Sequence, residues 1–322
     1  MQWQNCCNFY TLNLISFLNT HIEKKTSPEL KFSEALTKNI LILISAITAG
    51  LPRKLTLMFG RWLGTFIYVF IPLRKKVALK NLHLAFPEKT ESEIYTILKS
   101  CYRHFGMVMF DVLRSPYLSK KSLKKIINYP NEKLEELKNS NGGIIVTAHI
   151  GNWEWFLPFF GLNQIKFSAV ALKQKNKGAQ KYFMDSRQKT GSDVILKGTS
   201  GKEMLNIIFS GGFLGLASDQ NAGKRGVKTR FFNKEVSVPK GAAVFNLKTD
   251  CQLILCYCIL NDKNGYEITF EPLNLENLPI NKEDKINEIM QRISSDLEMK
   301  IKMYPHQYFW FHRKWAKSLY KA

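Results

Sequence analysis

Short apolar runs alternate with amphipathic stretches along most of the chain. Runs of strand length occupy residues 144–148, 167–172, 213–217, 253–260 and 266–270, with a weaker run at 194–195. The run at 144–148 shows no alternation with polar residues, which favours a strand buried on both faces, as in a parallel sheet, and the run at 213–217 is expected to be another buried strand. Apolar residues recur at helical spacing in residues 88–113, 179–189, 202–209, 240–247 and 286–303. This order predicts an α/β fold with a mostly parallel central sheet and helices on both faces.

The first 80 residues differ from the rest of the chain. Residues 1–35 form an extension of unknown role, and the absence of a basic segment before their apolar part argues against a cleaved signal peptide. Two apolar runs follow, at 40–51 and 55–73; the first is short for a membrane span and the second contains Arg61. With the basic cluster at 74–80, they predict an N-terminal membrane-associated helical segment over 36–80, lying at the lipid interface rather than crossing it. The alternative is a pair of buried core helices. Residues 81–322 are expected to form the α/β domain.

Composition limits the function classes. A net charge of +21, from 47 Lys and Arg against 26 Asp and Glu, indicates anionic partners such as phospholipid head groups, phosphorylated glycolipid, nucleic acid or an acidic protein. Nucleic acid is disfavoured because no recognisable binding module or aromatic RNA platform is present. The six cysteines lack zinc-ligand spacing and are expected to be reduced packing residues of a cytosolic environment.

Polar side chains follow the first buried strand directly. His149 stands at the strand end, Gly151 permits a sharp turn, and Asn152 is a suitable N-cap for a helix that begins at Trp153. Glu154 lies five residues after His149, so the two side chains can meet only if the chain turns between them. We expect Glu154 to accept a proton from one imidazole nitrogen while the other nitrogen acts as a base. The alternative is a loop histidine and a first-turn helix charge with no joint role; His104 is expected to be structural.

A second polar group follows the run at 213–217. Asp219 and Gln220 should project from the same sheet edge as His149, because ligands bind at the carboxyl ends of the strands in open α/β sheets. Lys224 and Arg225 extend this group into a flexible basic loop that could bind a phosphate or head group, and Arg187 could bind an anion bidentately. The alternatives are a turn-forming aspartate and solvated charges. The sequence lacks G-x4-G-K-[ST], G-x-G-x-x-G, H-E-x-x-H and G-x-S-x-G, which disfavours nucleotide-cofactor, zinc-protease and serine-hydrolase functions.

Five stretches together resemble one known family. H-I-G-N-W-E at 149–154 looks like the H-x4-[DE] signature of glycerolipid-type acyltransferases, and its GNWE form resembles the late acyltransferases of lipid A biosynthesis. The other four stretches are L-P-R-K-L-T-L-M-F-G-R-W-L-G at 51–64, R-K-K-V-A-L-K-N-L-H-L-A-F-P-E at 74–88, L-A-S-D-Q-N-A-G at 216–223 and Y-P-H-Q-Y-F-W-F-H-R-K-W at 304–315. All five occur in the family's order, and the resemblance covers roughly residues 36–317. Asn221 departs from it, since many members have a second acidic residue there.

The resemblance implies an enzyme that transfers a fatty acyl chain from acyl carrier protein, or from coenzyme A in relatives, to a hydroxyl of a phosphorylated glycolipid at the cytoplasmic face of the inner membrane. His149 would be the general base, Glu154 its partner, Arg187 the anion-binding arginine and Asp219 the aspartate of the Asp-Gln motif. The chemistry agrees, because a thioester is already activated and requires no cofactor, metal or covalent nucleophile. Backbone amides near Gly151 are the expected oxyanion donors. The alternatives are acyl transfer to another lipid, of the phosphatidylinositol-mannoside type, and lipid hydrolysis.

Overall fold

The computed structural model describes residues 30–71 and 73–320, so most of the N-terminal extension lies outside the described residues. The helices are α1 (Phe32–Gly50), α2 (Arg53–Phe70), α3 (Lys75–Ala85), α4 (Glu91–Arg114), α5 (Lys120–Ile126), α6 (Asn131–Asn139), α7 (Phe156–Leu162), α8 (Lys177–Gln188), α9 (Gly201–Phe209), α10 (Gly241–Thr249) and α11 (Lys282–Met303). The strands are β1 (Ile127–Asn128), β2 (Gly143–Thr147), β3 (Phe167–Ala171), β4 (Asp193–Leu196), β5 (Phe213–Ala217), β6 (Val227–Phe231), β7 (Lys234–Val238), β8 (Leu253–Leu260) and β9 (Tyr266–Pro272).

The central sheet has seven strands in the order β1-β9-β8-β2-β5-β3-β4. Strands β8, β2, β5, β3 and β4 are parallel, while β9 runs antiparallel to β8 and β1 pairs parallel to β9. The predicted α/β class and mostly parallel sheet are therefore confirmed. Strand β2 is buried along its length, as its unbroken apolar run predicts, and the hairpin between β8 and β9 is also present.

The sheet has a hydrophobic core on each face. One core joins the sheet to α3, α4, α10 and α11, and the other joins it to α5, α6 and α7. The described cysteines are free thiols, and Cys101, Cys256 and Cys258 are buried in these cores. Their expected packing role is confirmed; Cys6 and Cys7 lie outside the described residues.

The region after Gln220 differs from the sequence-based expectation. The basic loop predicted after Gln220 is only partly a loop: residues 223–225 form a 3-10 turn, and the chain then enters the antiparallel hairpin of β6 and β7. Phe232 and Asn233 both have positive φ at the hairpin tip, which fits a tight two-residue turn. The turn signal was missed because Phe-Asn is not among the usual turn pairs.

The apolar segment near the N-terminus forms helices α1, α2 and α3. Helix α2 lies so close to α4 that a Cβ atom at Gly60, Gly64 or Gly106 would collide with the backbone of the opposite helix. This contact fixes one side of α2. Its other side, and most of α1, expose large apolar side chains, among them Leu43, Ile47, Trp62, Phe66 and Phe70.

By length and composition, α1 could cross a membrane, and so could α2 and α3 together as one bent pair. Only 11% of the α1 window is buried inside the protein, so the alternative of two buried core helices does not describe α1. The exposed apolar surface of α1 and α2 is called the apolar face below.

Candidate active site

His149 and Asp219 meet at the carboxyl edge of the parallel sheet. Strands β2 and β5 are neighbours in parallel register, with Thr147 opposite Ala217, so the residues that follow them lie side by side. The distance between His149 Nδ1 and Asp219 Oδ1 is 2.7 Å, and we assign the proton to Nδ1, which donates to the carboxylate. In this tautomer Nε2 is the basic nitrogen, and it accepts a hydrogen bond from the side-chain amide of Gln220 at 3.2 Å. The expectation that both residues project from one sheet edge is confirmed.

The hydrogen-bond partner expected for His149 was Glu154, and the structure differs on this point. Both carboxylate oxygens of Glu154 accept hydrogen bonds from Arg187, at 3.2 Å from Nε and 2.7 Å from Nη2. Glu154 does not lie in a regular helical first turn, because residues 153–155 form a 3-10 turn before α7 begins. Glu154 nevertheless lies close enough to contribute to the electrostatic environment of His149.

The ionisation of the site follows from burial and charge. Burial alone would lower the pKa of His149, but the Asp219 carboxylate, with a smaller contribution from Glu154, raises it above its ordinary value. Burial opposes the ionised form of Asp219, yet His149 and Lys314 together lower the pKa of this carboxyl to about 2. Asp219 therefore remains a carboxylate, and its charge favours the protonated form of His149.

The tight turn after His149 requires glycine at position 151. Gly151 has a φ of +62°, and a Cβ atom there would collide with the carbonyl oxygen of Cys258. Its N–H donates to the carbonyl of Gln307 at 2.9 Å, and that of Asn152 donates to Cys258 at 2.8 Å. The N–H of Gly151 is therefore already engaged. The expectation that Gly151 is an oxyanion donor does not fit the structure, because the carbonyl of Gln307, in the C-terminal stretch, already accepts its hydrogen bond.

The C-terminal stretch 304–315 packs directly against the turn. Phe309 donates its N–H to the carbonyl of His149 at 2.8 Å, and Ile150 forms a bridge with Tyr308. The side chain of Gln307 exchanges two hydrogen bonds with the backbone of Leu260, at 3.0 and 2.7 Å. This stretch therefore fixes the backbone around His149.

Lys314 is a buried charged residue next to Asp219 that the sequence pattern did not indicate. Its side chain is 4% exposed, its ammonium donates to the carbonyl of Asp219, and it lies 4.4 Å from the centroid of the Phe231 ring. Burial lowers its pKa to about 8, against the opposing effect of Asp219. The available signal was a lysine embedded in a dense aromatic stretch beyond the last long helix.

Aromatic rings surround the imidazole of His149. The Trp153 ring centroid lies 4.7 Å away, and those of His312 and Phe309 lie at 6.2 and 6.4 Å. On the far side of the turn, His104 is buried and its ring donates from Nε2 to the carbonyl of Gly151 at 3.1 Å. Burial lowers the pKa of His104 to about 3, so it stays neutral. The structural role expected for His104 is confirmed.

Gln220, Lys224, Arg225 and Arg187 have different positions relative to His149. The amide nitrogen of Gln220 lies 3.2 Å from His149 Nε2. Lys224 and Arg225 are exposed in the 3-10 turn at 223–225, which Asn221 links to the carbonyls of Lys314 and Trp315. Arg187 is brought to the site through its ion pair with Glu154. Among the residues that the structure describes, no group of His, Cys, Asp and Glu side chains could hold a metal ion.

Comparisons with known proteins agree on one family. The model of the family described as bacterial lipid A biosynthesis acyltransferase matches residues 23–317. A lipid A biosynthesis palmitoleoyltransferase of Escherichia coli is 22% identical over 272 residues, which cover 82% of this chain and 86% of the relative. A lipid A biosynthesis acyltransferase of Shigella flexneri matches with the same identity and coverage.

Proposed function

The chain belongs to the bacterial lipid A biosynthesis acyltransferase family, and from this premise we propose that it transfers a fatty acyl chain from acyl carrier protein to a hydroxyl of a lipid A precursor, with His149 as general base. Membership makes the protein an acyltransferase of lipid A biosynthesis. The observation that best supports the mechanism is the Nδ1 contact of His149 with a buried carboxylate at 2.7 Å, which makes Nε2 the basic nitrogen. The acceptor hydroxyl would take the place of the Gln220 amide at Nε2.

The reaction requires one proton to move twice. His149 Nε2 removes the proton of the acceptor hydroxyl as its oxygen attacks the thioester carbonyl carbon. Asp219 holds the Nδ1–H tautomer and stabilises the imidazolium that forms, as the acidic member of a Ser-His-Asp triad does. The tetrahedral intermediate then collapses, the carbon–sulfur bond breaks, and the leaving thiolate takes the proton from Nε2. An ester and a free thiol are the products.

The developing oxyanion needs a donor other than Gly151. Gln220 is our candidate, because its amide nitrogen lies 3.2 Å from Nε2, where the hydroxyl and the thioester carbonyl must meet. We assign Gln220 to this role, and Lys224 and Arg225 to the phosphate groups of the acceptor.

Glu154 and Arg187 form the second charged pair of the site. Two of the five N–H donors of Arg187 are engaged by Glu154, so the others remain for an anionic group of a substrate. Glu154 also adds negative charge near His149, which favours the imidazolium of the transition state. We therefore keep Glu154 as a partner of His149 through its electrostatic effect. Glu154→Ala should lower turnover by about 10²-fold, because it also leaves Arg187 unpaired.

The pH dependence of kcat/KM tests the base directly. Only the neutral imidazole can accept a proton, and the pKa of His149 is raised above 6.5 by Asp219. We therefore expect kcat/KM to rise with pH up to a midpoint above 6.5 and then to level off. A rate profile that falls as pH rises through this range would contradict a neutral His149 base.

An acidic carrier protein as donor fits the charge of the enzyme. Helix α5 presents Lys120, Lys121, Lys124 and Lys125, all exposed, and contains no acidic residue. Tyr117, just before this helix, has its ring centroid 5.8 Å from the ammonium of Lys189, which follows the helix that contains Arg187. The buried side of α5 is formed by Leu123, so the exposed side offers charge without apolar contacts. We propose that α5 docks the carrier protein.

Salt should weaken this docking. The KM for acyl carrier protein substrate should increase steeply between low and physiological ionic strength, where the Debye length falls to about 8 Å. Lys121→Glu/Lys124→Glu should raise KM more than it lowers kcat, whereas Lys248→Glu/Lys282→Glu, an equal charge change on other exposed lysines, should leave KM unchanged. The assay uses neutral detergent micelles at fixed acceptor concentration. A KM independent of salt, or a preference for acyl coenzyme A, would assign the basic surface to other partners.

The apolar face predicts membrane association. Trp62 and Phe66 are 59% and 50% exposed, and contiguous apolar surface of this kind marks interaction sites. We propose that α1 and α2 lie at the lipid interface on the cytoplasmic side of the inner membrane.

Sedimentation tests this location. Trp62→Asp/Phe66→Asp should shift protein from the membrane pellet to the supernatant with little change in Tm, since neither side chain is buried. Ile280→Asp is the matched control, because Ile280 is 99% exposed but lies outside these helices. Pelleting that is unaffected by the double substitution would place the anchor elsewhere.

The acceptor is tested in cells. Mass spectrometry of lipid A from cells that lack the protein, and from cells that overproduce it, should show the loss and gain of one acyl chain. An unchanged acyl pattern would refute a lipid A precursor as acceptor, while acyl transfer to another lipid would remain testable with the purified enzyme.

A further inference from the structure

A buried ion pair joins the first turn of α2 to α4. Arg53 Nε lies 2.9 Å from Asp111 Oδ1, and Arg53 Nη2 lies 2.7 Å from Asp111 Oδ2. The Asp111 side chain is completely buried, and that of Arg53 is 16% exposed. Arg53 also donates to the backbone carbonyl of Asn264, in the turn between β8 and β9. Three parts of the fold therefore meet at this pair.

The ion pair continues toward the active site through one tyrosine. The hydroxyl of Tyr266 donates to Asp111 Oδ2 at 2.9 Å, and Asn152 Nδ2 donates to the Tyr266 oxygen at 3.3 Å. Asn152 and Tyr266 are both fully buried. Asn152 lies between His149 and Glu154 in the chain, so its side chain connects the active-site turn to the ion pair.

The connection is specific, because the Asn152 side chain has little else to bind. Its Oδ1 has no hydrogen-bond partner among residues 30–71 and 73–320. It does not cap the following turn, although the sequence predicted that role. Tyr266 therefore supplies the hydrogen bond that orients this side chain.

Stability alone is a weak reason for such an arrangement. Replacing a buried ion pair with apolar residues of similar volume is often neutral or stabilising, so a buried pair is weak evidence for a role in stability. Here the geometry that the pair defines is the position of Asn152, within two residues of Glu154 and three of His149 along the chain.

We propose that Arg53, Asp111 and Tyr266 are positioning residues, which hold Asn152 and thereby set the spacing between His149 and the Glu154–Arg187 pair. The proposal rests on the proposed function, in which both groups act on the same transition state. Because Arg53 begins α2, whose outer side belongs to the apolar face, the network also connects the lipid-facing helix to the turn that contains the base. Tight packing of α2 on α4 through Gly60, Gly64 and Gly106 keeps this connection rigid.

Tyr266→Phe removes only the hydroxyl and is the test variant. We expect kcat to fall about 10-fold or more with KM within about twofold of wild type, since a misplacement of about 1 Å can cost about 10²-fold in rate. Tyr102→Phe is the matched control: Tyr102 is a buried tyrosine of α4 whose hydroxyl donates to the carbonyl of Leu73 at 2.6 Å, and kcat should be unchanged. A purely structural role would lower Tm in both variants and kcat in neither.

A cycle with Asn152→Ala tests whether the two side chains act as one unit. The kcat of Tyr266→Phe/Asn152→Ala should be close to that of Asn152→Ala alone, because the tyrosine would have nothing left to position. If the factors by which the two single substitutions lower kcat multiply in the double variant, the two residues act independently and the proposal is overturned.

Hydrogen exchange gives a readout that needs no substrate. The amide of Asn152 donates to Cys258, so Tyr266→Phe should accelerate exchange in a peptide spanning 148–156, and Tyr102→Phe should not. The wild-type enzyme is assayed in parallel with acyl carrier protein and coenzyme A thioesters as donors. If neither donor supports acyl transfer but Tyr266→Phe still accelerates exchange, the proposed function fails and the positioning network stands. Unchanged exchange, or an unchanged kcat in an active enzyme, would refute the network.

Discussion

His149→Ala is expected to lower kcat/KM for acyl transfer by about 10²- to 10⁴-fold, the usual range for the loss of a positioned general base. No other described group near the site is placed to replace it. Lys314 is buried and donates to the carbonyl of Asp219, and the centroid of the His312 ring lies 6.2 Å from that of His149. Initial rates with a purified acyl thioester donor measure the effect.

The matched control for this prediction is His83→Ala. His83 hydrogen-bonds to Glu91 on the surface, and its loss should leave the rate unchanged. The double variant His149→Ala/Glu154→Ala should lose much less than the product of the single losses, because a pair that acts on one transition state is not additive. Turnover near the wild-type value in His149→Ala would end the general-base mechanism.

Asp219→Asn is expected to cost about 10²- to 10⁴-fold in kcat, by analogy with the loss of tautomer control when a triad aspartate becomes asparagine. The substitution removes the charge that raises the pKa of His149, so the rising limb of the pH–rate profile should move to lower pH while the plateau falls. Both changes are read from one pH series. A structural role would lower the plateau without moving the limb.

Two further variants sharpen the assignment. Asp185→Asn removes a carboxylate that pairs with Lys181 on the exposed side of α8, and should change neither feature of the profile. Glu154→Gln should shift the limb in the same direction but by less, because Asp219 has the larger effect on the pKa of His149. If Glu154→Gln moved the limb further than Asp219→Asn, Glu154 would be the principal partner of His149, as the sequence alone predicted.

The fold was predictable because local patterns report burial. Strands β2, β3 and β5 were predicted from short apolar runs, and helix α11 was predicted from the helical spacing of its apolar residues. The same patterns did not predict α5, which has four lysines and only one buried apolar residue. They also did not predict the hairpin of β6 and β7, whose turn has an unusual sequence. Short elements with few buried residues give too weak a periodic signal.

By itself, the sequence determined which residues reach the site. His149 and Asp219 each follow a buried strand, and the residues that follow parallel strands lie at the same edge of a sheet, so their position at a common edge followed from the pattern alone. Glycine at position 151 was equally readable, since a turn directly after a strand favours a residue that tolerates positive φ.

Only the tertiary structure decided how these residues are paired. Asp219 is 70 positions from His149, Arg187 is 33 from Glu154, and Lys314 is 95 from Asp219. Which carboxylate faces the imidazole depends on the 3-10 turn at 153–155 and on the approach of α8, which brings Arg187 to Glu154. The C-terminal stretch likewise consumes the N–H of Gly151, which no local pattern indicates. Periodicity specifies the face of an element that is buried, whereas hydrogen bonds between elements depend on how closely those elements pack in space.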